Sequence, residues 1–409
     1  EIRRNAIILK RIKVAKSNQE IRIKEVSKKG KIKVVFLLLI SDTWKLDSLY
    51  NSFKLNSRFT PVVVICPFIK NGQSFLVKEI KKAKELCEKN NYEYFLAYDE
   101  KTLSVIDAKL ILEPDIIFFT NPNNLTFKEL LIDNFLDSLT CYIPYSFRID
   151  TLYKYEFDNK LVNLTWLNFY ESIIHKKLAR QYSKRLGDNV IVSGFPFLDN
   201  LKFKVNHKKS SIEFQKKKII WAPHWTIKGF NSGLDWSCFL DYHLEFLELA
   251  KEFSSKIEIV MKPHAFLKNT LSSPLLWGEE KTNEYFNEWE KLENCKVVEG
   301  DYLDIFIESD ALIHDSGSFM TEYLALNKPM AYTKSQENIE GRFNEFGQIV
   351  IESHVMINSS NELRNFIVNV INENDSLFEI REKIINKYKL KPEGLISDSI
   401  VDYINSRVL

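Results

Sequence analysis

Residues 309–324 read Ser-Asp-Ala-Leu-Ile-His-Asp-Ser-Gly-Ser-Phe-Met-Thr-Glu-Tyr-Leu. The apolar run 311–314 predicts a buried strand that ends at Asp315, and the small residues Ser316, Gly317 and Ser318 then open a helix. A helix N-terminus presents unpaired amides and the positive end of the helix dipole, which suits a diphosphate. The stretch therefore indicates an α/β fold with an anion-binding turn at the end of a strand.

The same turn supplies several candidate binding groups. The hydroxyls of Ser316 and Ser318 add hydrogen-bond donors, and Gly317 lets the backbone approach a ligand closely. Glu322 follows Ser318 by one helical turn, so its carboxylate is expected to accept hydrogen bonds from ribose hydroxyls. The alternative is structural, with Asp315 or Ser316 capping the helix and Glu322 a solvated helix residue.

Two further predicted strands run directly into proline and histidine. The first continues into Pro223-His224-Trp225-Thr226, and the second continues into Lys262-Pro263-His264. Because ligands of open α/β sheets bind beyond the carboxyl ends of the strands, these side chains are expected to meet a phosphate. Lys262 and His264 are both potential cations at that position. The alternative for His224 is a structural histidine that caps a turn between two packed tryptophan rings.

The rest of the chain alternates short apolar runs with helical patterns, which is typical of βαβ units and parallel sheets. The polar, lysine-rich segment 202–218 lacks periodicity and is expected to be a flexible connection. Strands are predicted at 34–40, 62–66, 116–119, 142–144, 190–192, 219–222, 257–261, 296–298, 311–314 and 330–332, and helices at 46–54, 75–89, 127–136, 240–253, 302–308 and 319–326.

Length and pattern predict two Rossmann-like domains. The chain has 409 residues, which is too many for one ordinary core. Two such domains in series describe the GT-B architecture, in which the ligand binds in a cleft between the domains. The expected ranges are a basic N-terminal segment at 1–32, an N-terminal acceptor domain at 33–188, a C-terminal nucleotide-donor domain at 189–390 and a C-terminal helix at 391–409.

Composition narrows the class of function. Hydrophobic residues make up 45% and charged residues 27%, as in soluble globular proteins, and a net charge of +2 gives no reason to expect a nucleic-acid partner. Residues 1–33 hold twelve basic side chains against three acidic ones. This segment is expected either to contact an anionic membrane surface peripherally or to be a solvated helix or linker. Five scattered cysteines favour a reducing compartment, and the longest apolar run is too short to span a bilayer, so a cytoplasmic location is expected.

Several common nucleotide enzymes lose their main support. The chain has neither a P-loop nor a Gly-x-Gly-x-x-Gly turn, which argues against kinases, ATPases and dehydrogenases. Its seven histidines are scattered without the spacing of metal ligands. We therefore expect neither a metal nor a cofactor.

At these motifs the sequence resembles the CDP-glycerol glycerophosphotransferase family of teichoic-acid and capsule polymerases. The resemblance covers roughly residues 140–335 and implies the GT-B fold. It also implies transfer of glycerol phosphate or ribitol phosphate from a CDP-polyol to a hydroxyl of a lipid-linked or polysaccharide acceptor. The matching segments are 222–226, 262–264, 309–322 with the pair Lys328-Pro329, and the turn Gly194-Phe195-Pro196-Phe197-Leu198-Asp199.

One departure from the family concerns the acceptor side. Many members carry His-Gly-Thr-Pro in the N-terminal domain, and that histidine is thought to be the base on the acceptor hydroxyl. This chain has Ile-Pro-Tyr-Ser-Phe at 143–147 instead. Asp42 and His224 are the substitutes considered for the base, and Tyr145, Ser146 and Arg148 are expected on the acceptor side.

The leading hypothesis is that an acceptor hydroxyl attacks the distal phosphorus of a CDP-polyol and CMP leaves. His264 and the helix N-terminus at 316–318 would stabilise the developing charge, with assistance from Lys262. One alternative is a GT-B glycosyltransferase that uses a nucleotide sugar in capsule or O-antigen synthesis. Another is a catalytically inactive partner in a polymer-export complex, which the missing histidine favours.

Overall fold

The computed structural model describes residues 2–206, 216–230, 235–334 and 341–409. Most of the connection predicted at 202–218 lies outside these residues. The chain forms two compact units. Unit 1 comprises Glu1–Arg148, Leu152–Asp199 and Pro392–Leu409, and unit 2 comprises Ile149–Thr151 and Asn200–Lys391.

Unit 1 is built on a parallel sheet of seven strands. The sheet strands are β1 (Ile32–Leu38), β2 (Phe59–Ile65), β3 (Tyr94–Leu96), β6 (Ile116–Phe119), β7 (Leu139–Tyr142), β8 (Leu167–Tyr170) and β9 (Val190–Val192), and a small antiparallel hairpin adds β4 (Tyr98–Asp99) and β5 (Ser104–Val105). The strand order is β3-β2-β1-β6-β7-β8-β9. Strands of parallel sheets are covered on both faces and read as continuous apolar runs, which is why most of them were visible in the sequence.

The helices of unit 1 connect and cover these strands. Three short 3-10 helices occur at Ser41–Thr43, Lys128–Leu130 and Ile132–Phe135. The α-helices are α1 (Ile2–Val26), α2 (Asp47–Leu55), α3 (Gly72–Lys89), α4 (Ala108–Leu112), α5 (Tyr153–Phe157), α6 (Lys160–Leu164) and α7 (Ile173–Tyr182), and α8 (Phe197–Asn206) leads into unit 2.

Two expectations for unit 1 were wrong. The helix predicted at 127–136 is instead two 3-10 turns, because Leu131 is extended (φ −98°, ψ 162°) and separates them. Strand β8 was not predicted, since its tyrosine and asparagine hide an element whose four residues are all buried.

The basic N-terminal segment forms helix α1. Ile12, Ala15 and Val26 are buried on one face of this helix, so it belongs to the core of unit 1 and is not a linker. Arg22 and Lys29 donate to the carboxylate of the buried Asp115, at 2.8 and 2.6 Å. Part of the basic charge is therefore neutralised within the fold.

Unit 2 contains a second parallel sheet with the order β12-β11-β10-β13-β14-β15, whose strands are β10 (Lys217–Ala222), β11 (Ile257–Met261), β12 (Cys295–Val297), β13 (Ala311–His314), β14 (Met330–Thr333) and β15 (Val355–Ile357). Trp221 anchors its core by stacking on Phe246, with ring centroids 4.1 Å apart. The helices are α9 (Phe239–Glu252), α10 (Leu267–Leu271), α11 (Gly278–Glu290), α12 (Leu303–Glu308), α13 (Gly317–Leu324), α14 (Glu345–Ile351), α15 (Ser360–Ile371) and α16 (Phe378–Tyr388).

Each sheet has a point where successive crossovers run outward in opposite directions. In unit 1 this switch point lies between β1 and β6, and in unit 2 it lies between β10 and β13. Ligands of doubly wound sheets bind in the crevice beyond the carboxyl ends of the strands at this point. The topology therefore marks one crevice in each unit.

The last helix, α17 (Ile396–Arg407), belongs to unit 1. The carboxylate of Asp199 accepts the amides of Ile396 and Ser397, both at 2.9 Å, and so caps the N-terminus of this helix. Gly194 has φ +87°, and a Cβ there would lie 2.9 Å from Cδ1 of Ile396. The Gly-x-Pro-x-x-Asp turn, expected to open the second domain, therefore holds the C-terminal helix on unit 1.

Candidate active site

The register of the unit 2 sheet brings the predicted site residues together. Ala222 pairs with His314 across β10 and β13, and Trp221 pairs with Met261 across β10 and β11. The three strands end at one level, so the loops that begin at Pro223, Lys262 and Asp315 start side by side. They line the crevice at the switch point of this sheet.

Two imidazole rings meet at this edge. The ring centroids of His224 and His264 are 5.0 Å apart. The backbone amide of His264 donates to the carbonyl of Pro223 at 3.1 Å, which ties the two loops together. The structure thus confirms that the two strand-Pro-His segments converge.

The hydrogen bonds of both histidines define where each ring carries its proton. The backbone amide of Thr226 donates to Nδ1 of His224 at 3.3 Å. The Thr226 hydroxyl lies 2.8 Å from the same Nδ1 and accepts the amide of Trp236 at 3.1 Å. The amide of Phe266 donates to Nδ1 of His264 at 3.2 Å. Since Nδ1 is an acceptor in both rings, both carry their proton on Nε2.

Desolvation at these half-buried positions disfavours the charged form of both rings. It lowers the pKa of His224 to about 3. Burial, the neighbouring His224 and Lys262 together hold the pKa of His264 well below its ordinary range. In the free protein the two side chains are neutral Nε2–H donors rather than the cation expected for His264. In this tautomer the ring of His224 has one lone pair, on Nδ1, and that lone pair already accepts the Thr226 amide. This argues against His224 as the substitute base.

Asp315 joins two loops of the site. Its two carboxylate oxygens accept the amides of His224 at 2.5 Å and Cys238 at 2.7 Å, and only 1% of the residue is exposed. Burial raises the pKa of Asp315 to about 7, although both amides lower it. Each oxygen thus holds one backbone amide in place, and contact of Asp315 with the nucleotide stays a prediction.

The small-residue turn opens helix α13 as predicted. Ser316 occupies the N-cap position, yet its side chain makes no capping bond and its buried hydroxyl has no hydrogen-bond partner among the described residues. Ser318 is half-buried in the first turn. A Cβ at Gly317 would lie 3.1 Å from Cδ1 of Ile149, so glycine here also makes room for that side chain. The turn retains a donor that a ligand can use.

Glu322 is not exposed at the crevice. Its carboxylate is fully buried and accepts the hydroxyl of Tyr302. This burial also differs from the alternative of a solvated helix residue, and a contact between Glu322 and a ribose stays a prediction. Lys262 is likewise buried, at 8% exposure, and its amide donates to the carbonyl of Trp221.

Other residues of the matched segments have structural roles. Nζ of Lys328 donates to the carbonyls of Phe306, Ile307 and Ser309 and so caps helix α12. Nε2 of His314 lies 3.1 Å from Nε2 of His354 in a fully buried pair. These residues stabilise the loop that carries the candidate donors.

The residues expected on the acceptor side belong to unit 1. Tyr145 and Ser146 follow β7 and are half-buried. The guanidinium of Arg148 is buried, pairs with Glu171 at 2.6 Å and lies 3.6 Å from the ring of Tyr170. Its contact with the acceptor stays a prediction. Asp42 lies in the 3-10 helix after β1 and pairs with Lys82 at 3.4 Å.

Comparison with known proteins agrees with the overall fold. UDP-GlcNAc 2-epimerase from Neisseria meningitidis bound to UDP-GlcNAc is 15% identical, with a TM-score of 0.59 over 92% of this chain and 100% of that one. A histidine-to-asparagine variant of the wall teichoic acid polymerase TagF is 14% identical, with a TM-score of 0.58 over 100% of this chain and 97% of that one. The same polymerase soaked with CDPG gives the same TM-score. No match was found among curated proteins.

These likenesses place the fold in the GT-B class of enzymes. The family model for CDP-glycerol:poly(glycerophosphate) glycerophosphotransferase matches residues 168–403, more than half of the sequence. The chain belongs to this family. Among the described residues, no helix is both long and apolar enough to cross a membrane.

Proposed function

We propose that the chain moves a polyol phosphate, such as glycerol or ribitol phosphate, from a CDP-activated donor to a hydroxyl of a teichoic-acid-like or polysaccharide acceptor. The observation that carries this proposal is the pair of Nε2–H donors on His224 and His264 beside the N-terminus of α13. Family membership supports the donor class. The polymerase soaked with CDPG shares the fold.

The reaction requires one bond to form and one to break. The acceptor oxygen bonds to the distal phosphorus, and the bond between that phosphorus and the bridging oxygen breaks. CMP leaves with the electron pair, and the acceptor proton passes to a base. Donors fixed in advance stabilise the charge that builds up on the diphosphate, and such electrostatic stabilisation is usually the largest contribution to catalysis.

The two histidines fit this role because each ring is fixed from behind. Nδ1 of each ring accepts a bond from its own loop, so the Nε2 donor has a defined direction. The hydroxyl of Ser316, for which the described part of the chain offers no hydrogen-bond partner, adds a third donor. The partly exposed rings of Trp225 and Trp236 lie near the pair, at centroid distances of 5.9 Å from His264 and 6.5 Å from His224, and offer apolar faces for a nucleobase.

His264→Gln tests the assignment. We expect kcat to fall about 10²- to 10³-fold, the usual cost of removing one oriented donor, with the fold retained. The assay measures CMP released from CDP-glycerol in the presence of a glycerol phosphate polymer. His243→Gln is the matched control, because this half-buried histidine of α9 lies outside the crevice loops.

A near-normal rate for His264→Gln would remove this residue from the mechanism. The product identifies the reaction independently. A new phosphodiester supports polyol phosphate transfer, whereas a glycosidic bond from a nucleotide sugar would replace it by glycosyl transfer.

We also propose that helix α1 contacts the membrane surface on which a lipid-linked acceptor would lie. Ile7, Val14 and Ile21 are spaced seven residues apart and are 55%, 50% and 57% exposed. Exposed lysines at positions 10, 13 and 24 accompany them. Apolar side chains with flanking lysines are typical of helices that lie in the headgroup region of anionic bilayers.

A further inference from the structure

The crevice at the carboxyl ends of β1 and β6 is the unit 1 counterpart of the donor crevice in unit 2. Both lie at the switch point of a doubly wound parallel sheet. The loop after β1 carries the 3-10 helix Ser41–Thr43, and helix α3 packs against it. Side chains from this loop and this helix therefore meet where a ligand of unit 1 is expected.

Three ionisable side chains form a connected cluster there. Nζ of Lys82 lies 3.4 Å from Oδ2 of Asp42 and 3.5 Å from Oε1 of Glu79. Oε2 of Glu79 accepts the amide of Ser41 at 3.4 Å. One ammonium group between two carboxylates leaves the cluster with a net negative charge, which disfavours a phosphate and favours a neutral polyhydroxyl group.

A second observation points to a ligand. The hydroxyl of Ser41 is buried and has no hydrogen-bond partner among the described residues, while the residue as a whole is 9% exposed. An unpaired buried hydroxyl is unfavourable, and a ligand hydroxyl can supply the missing partner. The side chains of Asp42 and Lys82 are 25% and 35% exposed, whereas that of Glu79 is 6% exposed. The cluster therefore has an open side and a buried end.

We propose that Ser41, Asp42, Glu79 and Lys82 bind the hydroxyl-bearing end of the acceptor, a polyol or sugar terminus, and that Glu79 is the general base. This inference rests on the proposed function. Glu79 takes the proton of the attacking hydroxyl as the new phosphorus–oxygen bond forms and CMP departs. Asp42 keeps Lys82 paired once Glu79 has become neutral.

The environment of Glu79 suits a base. Burial raises its pKa, Lys82 lowers it and Asp42 raises it, with a net increase. A carboxylate with a raised pKa accepts a proton more readily near neutral pH. The segment 143–147 has no histidine, and His224 and His264 present Nε2–H donors, so none of these provides the base.

Glu79→Gln tests the catalytic part of the proposal. Glutamine keeps the shape and an acceptor for the Ser41 amide, so we expect kcat to fall about 10²- to 10⁴-fold while CDP-glycerol binding, measured by calorimetry, stays at the wild-type value. The matched control is Glu85→Gln on the same helix, whose side chain is 60% exposed. A wild-type kcat for Glu79→Gln would show that this residue is not the base.

Lysine footprinting tests the site without requiring turnover. A synthetic glycerol phosphate oligomer with a free terminal hydroxyl should slow acetylation of Lys82, read by mass spectrometry, and leave Lys81, which is 79% exposed, unaffected. Unchanged acetylation of Lys82 would overturn the acceptor site. If the oligomer slows acetylation of Lys82 in the wild-type protein but no glycerol phosphate is transferred, the proposed function fails and the acceptor site stands.

Discussion

His224 and His264 show how burial can reverse the role of a residue. Free histidine is close to its titration point at neutral pH, but desolvation disfavours the charged form of these two rings. In the free protein they donate from Nε2 without carrying charge. A diphosphate bound beside them would favour the protonated form, in which the second proton enters at Nδ1 and displaces the backbone amide bonded there, so ligand binding and protonation are coupled.

This coupling predicts pH-dependent donor binding. The pKa values of both rings lie below the ordinary 6.5 in the free protein, and the bound diphosphate raises them. Between the free and bound values, binding takes up protons, so CDP-glycerol should bind more tightly as the pH falls, by up to about tenfold per pH unit for each proton. Calorimetry in buffers of different ionisation heat measures the uptake.

His264→Gln should lose part of this pH dependence, and His243→Gln should keep it. An affinity that stays constant from about pH 8 to about pH 6, with no proton uptake, would contradict the coupling.

The positions of the key residues could be predicted from the sequence, but several of their roles could not. His224, His264 and Ser316 were found because each follows a buried apolar run. The roles of Asp315 and Arg148 depend on Cys238 and Glu171, which are 77 and 23 residues away along the chain. No local sequence pattern shows these distant partners, so the sequence could not predict the contacts that Asp315 and Arg148 make within the protein. Glu79 was missed because only the packing of α3 brings it to the end of β1.

Among the elements, buried strands were easier to predict than the segments between them. A strand covered on both faces needs a continuous apolar run, which is easy to recognise. The 3-10 turns at 128–135 bury Leu130, Ile132 and Phe135, whose spacing is close to that of an α-helix, so an α-helix was predicted there. Helix α17 was visible through its periodicity. Its position on unit 1 was not, because it depends on the carboxylate of Asp199.

Asp199→Ala should loosen α17. The substitution removes two hydrogen bonds from a buried carboxylate to helix amides, and we expect a loss of about 2–4 kcal/mol in the free energy of unfolding, measured with urea. Hydrogen exchange at the amides of Ile396 and Ser397 should accelerate. Asp402→Ala, an exposed change within α17, is the control, and equal stability of the two variants would refute the capping role.

For the molecule as a whole, the location of charge predicts behaviour at a membrane. Lys10, Lys13 and Lys24 are exposed on α1, and each is worth about 1 kcal/mol near an anionic surface. Their joint replacement by glutamate should abolish co-sedimentation with phosphatidylglycerol vesicles. Added salt should weaken binding of the wild type in the same assay.

The control for charge alone is replacement of Lys251, Lys256 and Lys296, three exposed lysines of unit 2, by glutamate. If both triple variants lose binding equally, the attraction is nonspecific and α1 is not the contact surface. Vesicles of phosphatidylcholine should bind neither variant nor the wild type.

Unit 1 is assembled from sequence on both sides of unit 2, since Pro392–Leu409 joins it after the chain has passed through residues 200–391. This arrangement imposes an order on biosynthesis. A ribosome makes all of unit 2 before it makes the helix that Asp199 caps, so unit 2 can fold on the nascent chain while unit 1 still lacks an element. During that interval, the surface of unit 1 that later receives Ile396, Ile400 and Ile404 is uncovered and open to chaperones.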